Sequence, residues 1–205
     1  MLRFAPILLA LIYGLVMYRL SAYRLSRTLN SQSVELMDPK LLPLIKRMAQ
    51  ALDIEKIAVY IYEIEPVNGL AAPDGRIFIT RGFYKKYQNG EVSGDELGSV
   101  IAHELGHVAL GHSRRRMIDF SGQNAVRVAL GMVLGRIIPG IGGWIGNMIA
   151  NLLMARLSRS DEYEADEYAS ALLTKTGIGT DPQKSLCLLY TSDAADDSLR
   201  VDLGG

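Results

Sequence analysis

Apolar positions concentrate in two long runs, with periodic mixed sequence between them. The first run, Phe4–Leu20, covers 17 residues and contains no charge except Arg19. That length reaches the lower limit for a helix crossing a bilayer. Arg3 precedes the run, and Arg19, Arg24 and Arg27 mark its far side. No small-x-small cleavage site follows, and arginines stand where cleavage would fall. The run therefore suits an uncleaved membrane anchor better than a signal peptide or a buried helix. The heavier positive flank lies after the run, which predicts a cytoplasmic position for the rest of the chain.

Beyond the anchor, Asp38 as cap and Pro39 in the first turn predict a helix whose Leu41, Ile45, Met48 and Leu52 share one face. Ile57–Ile64 is β-branched and aromatic, so it reads as a strand. Pro66–Gly75 is rich in turn residues, and Arg76–Thr80 reads as a second short strand. From Ser93 almost to Thr176 the pattern is helical, opened by a capping box of Ser93 and Glu96. The second apolar run, residues 125–157, is divided by Arg127, Arg136 and the Pro139–Gly143 turn. Each piece, at about 15 residues, is shorter than a bilayer requires. A buried helical hairpin is expected there; a hairpin dipping into the membrane surface is the alternative. The fold class is α+β: mostly helical, with a small edge β-sheet, preceded by one N-terminal transmembrane helix. The expected divisions are 1–30 for the anchor and juxtamembrane segment, 38–186 for the main domain and 187–205 for a separate tail.

Composition changes the picture only at that tail. The 205 residues are 49% hydrophobic, with 22 basic and 22 acidic side chains. This is enough apolar material for one packed domain, too much for disorder, and too little net charge for nucleic-acid binding. The single cysteine, Cys187, excludes an internal disulfide. Residues 187–205 read CLLYTSDAADDSLRVDLGG and continue no periodicity. Cys187–Asp196 resembles the translation of a transposase-type sequencing adapter, and Arg200–Gly205 fits the part that follows the adapter's index. The tail is therefore expected to be read-through and not native sequence. It holds four acids, one base and the only cysteine, so without it the chain has 21 basic and 18 acidic residues.

The chemistry lies in His103-Glu104-Leu105-Gly106-His107. Spacing i, i+4 on a helix puts both imidazoles on one face, one turn apart, where they can chelate one ion. Glu104 beside them suits a water held by that ion. Val100, Ile101, Ala102, Leu105, Val108, Ala109 and Leu110 make this helix apolar nearly all round, so burial is expected. Two histidines and a glutamate buried without partners would cost several kcal/mol, and a metal satisfies all three. Paired buried histidines hydrogen-bonded to their neighbours are the plainer alternative. The third histidine, His112, is five residues past His107 and rotated off the metal face, which makes it a helix-end or supporting residue. A third ligand is sought in Asp161-Glu162-Tyr163-Glu164-Ala165-Asp166-Glu167. Glu162, Ala165, Asp166, Ala169 and Leu173 share one otherwise apolar, inward stripe, which makes Glu162 and Asp166 the expected buried carboxylates, while Glu164 and Glu167 lie with the solvent. Glu162 is then the expected ligand, and Asp166 the acceptor that orients a histidine.

The pattern H-E-L-G-H followed by S-R-x-x-E-Y-x-A-D, Ser158–Asp166, resembles the gluzincin peptidases of the HtpX and type I CaaX prenyl endopeptidase family. Asn68–Thr80, N-G-L-A-A-P-D-G-R-I-F-I-T, is similar to the family's stretch before its active-site helix. The resemblance covers roughly residues 38–186. It implies a zincin-like fold, one zinc ion, peptide hydrolysis with Glu104 as proton carrier, and Glu162 as third ligand beside His103 and His107. It also implies that Asn68, Gly69, Leu70 and Ala71 form a sheet edge where a polypeptide substrate pairs as an added strand. Membrane-protein quality control is the implied role, with lipid contact through the N-terminal helix and no nucleic-acid partner. Gly69-Leu70 departs from the family's more usual Ala-Phe, and the family's later His-Pro and Arg segment has no counterpart here. A zincin fold used for binding or chaperoning without turnover is the alternative. A structural zinc site is disfavoured, because such sites usually fill four positions with cysteine and histidine.

Overall fold

The computed structural model describes residues 5–113 and 142–186, with side chains described from 12 to 113, at Met148, and from 158 to 186. In chain order the elements are α1 (Ala5–Ser31), β1 (Ser33–Glu35), α2 (Leu42–Ala51), β2 (Val59–Tyr62), β3 (Gly69–Ala71) and β4 (Ile77–Thr80). They continue with α3 (Arg81–Gln88), α4 (Gly94–Ala109) and α5 (Gly142–Lys175). The expected hairpin at 125–157 lies largely outside the described residues, and the tail at 187–205 lies wholly outside them.

The four strands form one sheet in the order β1-β2-β4-β3. β1 is antiparallel to β2, β2 parallel to β4, and β3 antiparallel to β4, with Tyr60 opposite Phe78 and Gly69 opposite Ile79. Alternation along β2 and β4 divides the core in two, because successive strand side chains point to opposite faces. Val59, Ile61, Ile77 and Ile79 join Ile45, Met48, Leu97, Ile101 and Leu173 in the main core under α2, α4 and α5. Phe78 faces the other way and packs with Leu29 of α1 and with Ala72, flanked by Tyr60, Tyr62 and Leu25. The sheet is thus covered on both faces, and β4, buried at all four positions, is its centre. The fold is α+β, as expected.

Several boundaries differ from the expectation. α2 starts at Leu42 with Pro43 in its first turn, and Asp38 organises the turn before it. The Asp38 carboxylate accepts from the Lys40 and Leu41 amides at 2.8 and 3.3 Å and from the Tyr84 hydroxyl at 2.8 Å. Burial pushes its pKa up, but these donors and the charge of Lys40 outweigh that and hold it below the usual carboxylate value. The same contact, together with burial, pushes Tyr84 up to about 12. α3 was not expected; Thr80 caps it, its side chain accepting from the Phe83 amide.

The N-terminal apolar run does lie in a helix. Among the described residues, however, no helix is long and apolar enough to cross a membrane. α1 continues through Arg19, Arg24 and Arg27, which dilute its apolar character. The fold therefore gives no support to the transmembrane assignment of residues 4–20.

Candidate metal centre

α4 is fixed at both ends by local chemistry. Ser93 Oγ accepts from the Glu96 amide at 3.2 Å, and the Glu96 carboxylate accepts from the Ser93 amide at 2.7 Å. A second Glu96 oxygen accepts from Ser185 Oγ at 2.6 Å. At the other end Leu110 is the C-cap and Gly111 takes φ 73°, the left-handed conformation common just past a helix end. Leu97, Ile101, Ala102 and Leu105 are buried, but the last turn is not: Leu110 is exposed, contrary to the expectation of burial all round.

α5 crosses α4 at very close range. A Cβ at Gly106 would stand 2.9 Å from the backbone Cα and O of Ala165. Only glycine permits that approach, and it brings the acidic stretch of α5 onto the histidine face of α4. His103 Nε2 and His107 Nε2 lie 3.1 Å apart. Glu162 Oε2 is 3.4 Å from the first and 3.6 Å from the second. One ligand atom from each of the three residues falls within 4.8 Å of the others. Two imidazole nitrogens and a carboxylate oxygen converge on one point; with the nitrogens unprotonated there, the three lone pairs repel unless a cation lies among them. Nitrogen and oxygen donors in this number fit a zinc ion.

The surroundings orient the donors. His103 Nδ1 is 2.8 Å from Asp166 Oδ1, so the carboxylate accepts the Nδ1 proton and leaves the Nε2 lone pair for the site. Gln183, beyond α5, steadies that carboxylate: its amide donates to Asp166 Oδ1 at 3.3 Å while its oxygen accepts from Ser170 Oγ at 2.9 Å. His107 Nδ1 is 3.1 Å from Nδ1 of His112, which is wholly buried. His112 Nε2 in turn approaches Glu164 Oε2 at 3.3 Å.

An open cavity of about 630 Å³ is lined by His103, Glu104, His107 and Glu162, by Asn68–Ala71 of the sheet edge, and by Ser21 and Leu25 of α1. β3 is the outer strand on this side. Thr80 Oγ1 accepts from the Asn68 amide at 2.9 Å and donates to the Asn68 carbonyl at 3.1 Å, which fixes the start of the strand. A Cβ at Gly69 would lie 2.8 Å from Val100 Cγ1 and 3.0 Å from Glu104 Oε1. The glycine lets β3 approach the face of α4 that carries Glu104, which gives the departure from the family's usual alanine a steric consequence.

All the expected site residues are therefore brought together, but the carboxylates are distributed differently from the helical stripe. The side chains of Glu162 and Asp166 are about half exposed, at 48% and 50%, because their face of α5 borders an open cleft. The buried acid is Asp161, at 2%. Glu164, expected to face solvent alone, reaches His112. Gln183, Asp161 and the contact between Glu164 and His112 escaped the sequence reading. The glycine at 111, just past the helix, is the sequence signal that could have shown the chain turning back there.

Comparison with known proteins agrees with this geometry. The model of Peptidase family M48 matches residues 35–192. Metalloprotease LoiP of Escherichia coli K12 is 30% identical over 174 residues, covering 77% of this chain and 67% of LoiP. Metalloprotease YcaL of the same organism is 29% identical over 141 residues, covering 69% of this chain and 54% of YcaL. The protease HtpX homolog of Methanothermobacter thermautotrophicus is 28% identical over 202 residues, covering 90% of this chain and 72% of the homolog. With more than half its length matched, the residues of the metal centre among them, this chain belongs to Peptidase family M48, a family of metalloproteases.

Proposed function

We propose that the protein is a membrane-anchored zinc metalloendopeptidase acting in membrane-protein quality control. The observation that carries the catalytic part is the approach of Glu162, from α5, to the two α4 imidazoles, with Glu104 lining the same open cavity. His103, His107 and Glu162 would hold one zinc ion. When bound, that ion supplies Lewis acidity toward water and toward the scissile carbonyl. Glu104 receives a proton from the attacking water at its carboxylate and returns it to the leaving amine. Asp166 and Gln183 keep the His103 ring in the tautomer that points Nε2 inward. The β3 edge, Asn68–Ala71, receives the polypeptide as an added strand, with main-chain hydrogen bonds aligning the scissile bond over Glu104.

The anchoring part rests on the sequence run 4–20 and on its arginine flank, which also favours a cytoplasmic catalytic domain. It is consistent with exposed Ile12, Leu15, Val16 and Leu20 on α1, apolar side chains that a lipid phase would cover. The test pairs two measurements on the full chain. Zinc content and casein hydrolysis are compared for wild type and Glu104→Gln, with the variant expected to keep one equivalent of zinc and lose cleavage. Cleavage at the wild-type rate would remove Glu104 from its role. Release of the protein from membranes by alkaline carbonate would remove the anchor.

A further inference from the structure

The chain has three histidines, and all three stand in one line of contacts. His103 and His107 face the metal centre, and His112 stands behind His107. Its ring centroid is 5.3 Å from that of His107, and the planes meet at 65°. A continued α-helix would turn a residue five positions on well away from the metal face. Gly111 prevents this: at φ 73° it breaks the helix and sends the chain back, so that His112 returns under His107 with no exposed surface.

With His107 Nε2 given to a metal, the ring nitrogens admit one proton arrangement. His107 presents Nε2 to His103 and Glu162, so as a neutral ligand it carries its proton on Nδ1. That proton points at His112 Nδ1, 3.1 Å away, which must then accept. A neutral His112 accepting at Nδ1 has its proton on Nε2. Among the described residues two acids lie near that nitrogen: Glu164 Oε2 at 3.3 Å and the buried Asp161 Oδ1 at 3.8 Å. Glu164 is held in place by Ser160 Oγ, which donates to its other oxygen at 3.0 Å. Every step of this relay has a donor facing an acceptor.

We propose that His112 is a positioning residue of the metal centre, a buried imidazole that fixes the tautomer and orientation of His107 and is itself held by Glu164, with Asp161 close behind. The role rests on the reading of His103, His107 and Glu162 as metal ligands. It gives the two histidines different supports: a carboxylate directly behind His103, and an imidazole with acids behind it for His107.

The experiment uses the full chain in detergent and reads zinc affinity by chelator competition. His112→Leu removes the acceptor and keeps an apolar filling; it is expected to weaken zinc by about 10–100-fold, the usual cost of losing an outer partner. His112→Asn places an amide oxygen near the former Nδ1 and should restore most of that loss. Wild-type affinity in His112→Leu, or no recovery in His112→Asn, overturns the proposal. Should the leucine variant fail to fold, ring ¹⁵N spectra of the zinc-loaded wild type decide the matter, since only three histidines contribute. His112 must then be protonated at Nε2 and bare at Nδ1; the opposite tautomer overturns the proposal. His107→Ala separates the two readings: undiminished zinc affinity there would refute the ligand set, and the positioning role with it.

Discussion

The two helices that meet at the metal centre are built to opposite rules. α4 is specified at every level, with a reciprocal cap at its start, a left-handed glycine past its end and a buried apolar face. Its His107 side chain is only 6% exposed. α5 buries Ala165, Ala169, Leu172 and Leu173 but leaves its working carboxylates half in solvent. The imidazole nitrogens thus sit on a largely buried helix face, whereas the Glu162 carboxylate is offered from an exposed one. One helix supplies preorganisation, and the other supplies charge where water can still reach the cleft.

Substitutions on the two helices should therefore fail in different ways. The largest effect is expected from Glu162→Ala. It removes the proposed third ligand from an exposed position, so zinc affinity and proteolysis should fall by more than the about 10–100-fold that an outer partner costs. Stability of the zinc-free protein should stay within about 0.5 kcal/mol. A large loss of melting temperature without zinc would break the contrast. Next is Gly106→Ala, whose Cβ meets the Ala165 backbone. Overpacking there should cost about 1–3 kcal/mol in denaturant unfolding and weaken zinc by moving Glu162 outward. Unchanged stability would mean that the helices part without cost. Ser93→Ala, which removes half of the capping box, should cost about 1 kcal/mol while zinc affinity holds. A fall in affinity would show that preorganisation of the histidines depends on the far end of α4.

The smallest effect lies away from both helices, at Asp38. Its pKa is held below the ordinary aspartate value in the folded state, so its contribution to stability is present above that ordinary value. The contribution is lost as pH falls through the lowered value. Asp38→Asn should flatten this part of the acid unfolding curve; an unchanged curve would remove Asp38 from the account.

What could be read in advance follows the same contrast. The His-Glu-x-x-His spacing, the capping box and the strands at β2 and β4 are local patterns, and they appear where expected. The choice of Glu162 and Asp166 over Glu164 and Glu167 follows from helical periodicity. Periodicity does not know which face borders an open cleft, so it could not show that Asp161 is the buried acid. β1 and β3 have three residues each and exist only through pairing with distant strands. The return of His112 depends on the sign of one dihedral angle at Gly111, which a continuous helical pattern conceals.

One further consequence concerns α1. Ser21 and Leu25 help to wall the catalytic cavity, Leu29 is sealed against Phe78 on the far face of the sheet, and Asn30 accepts from Arg76 at 2.7 Å. Removing residues 1–31 would do more than shorten the chain. It would uncover the aromatic face of the sheet and take away one wall of the cavity beside His103 and His107. Cleavage preferences measured on such a fragment would belong to a different groove. A shortened version that keeps this cavity whole must begin before Ser21.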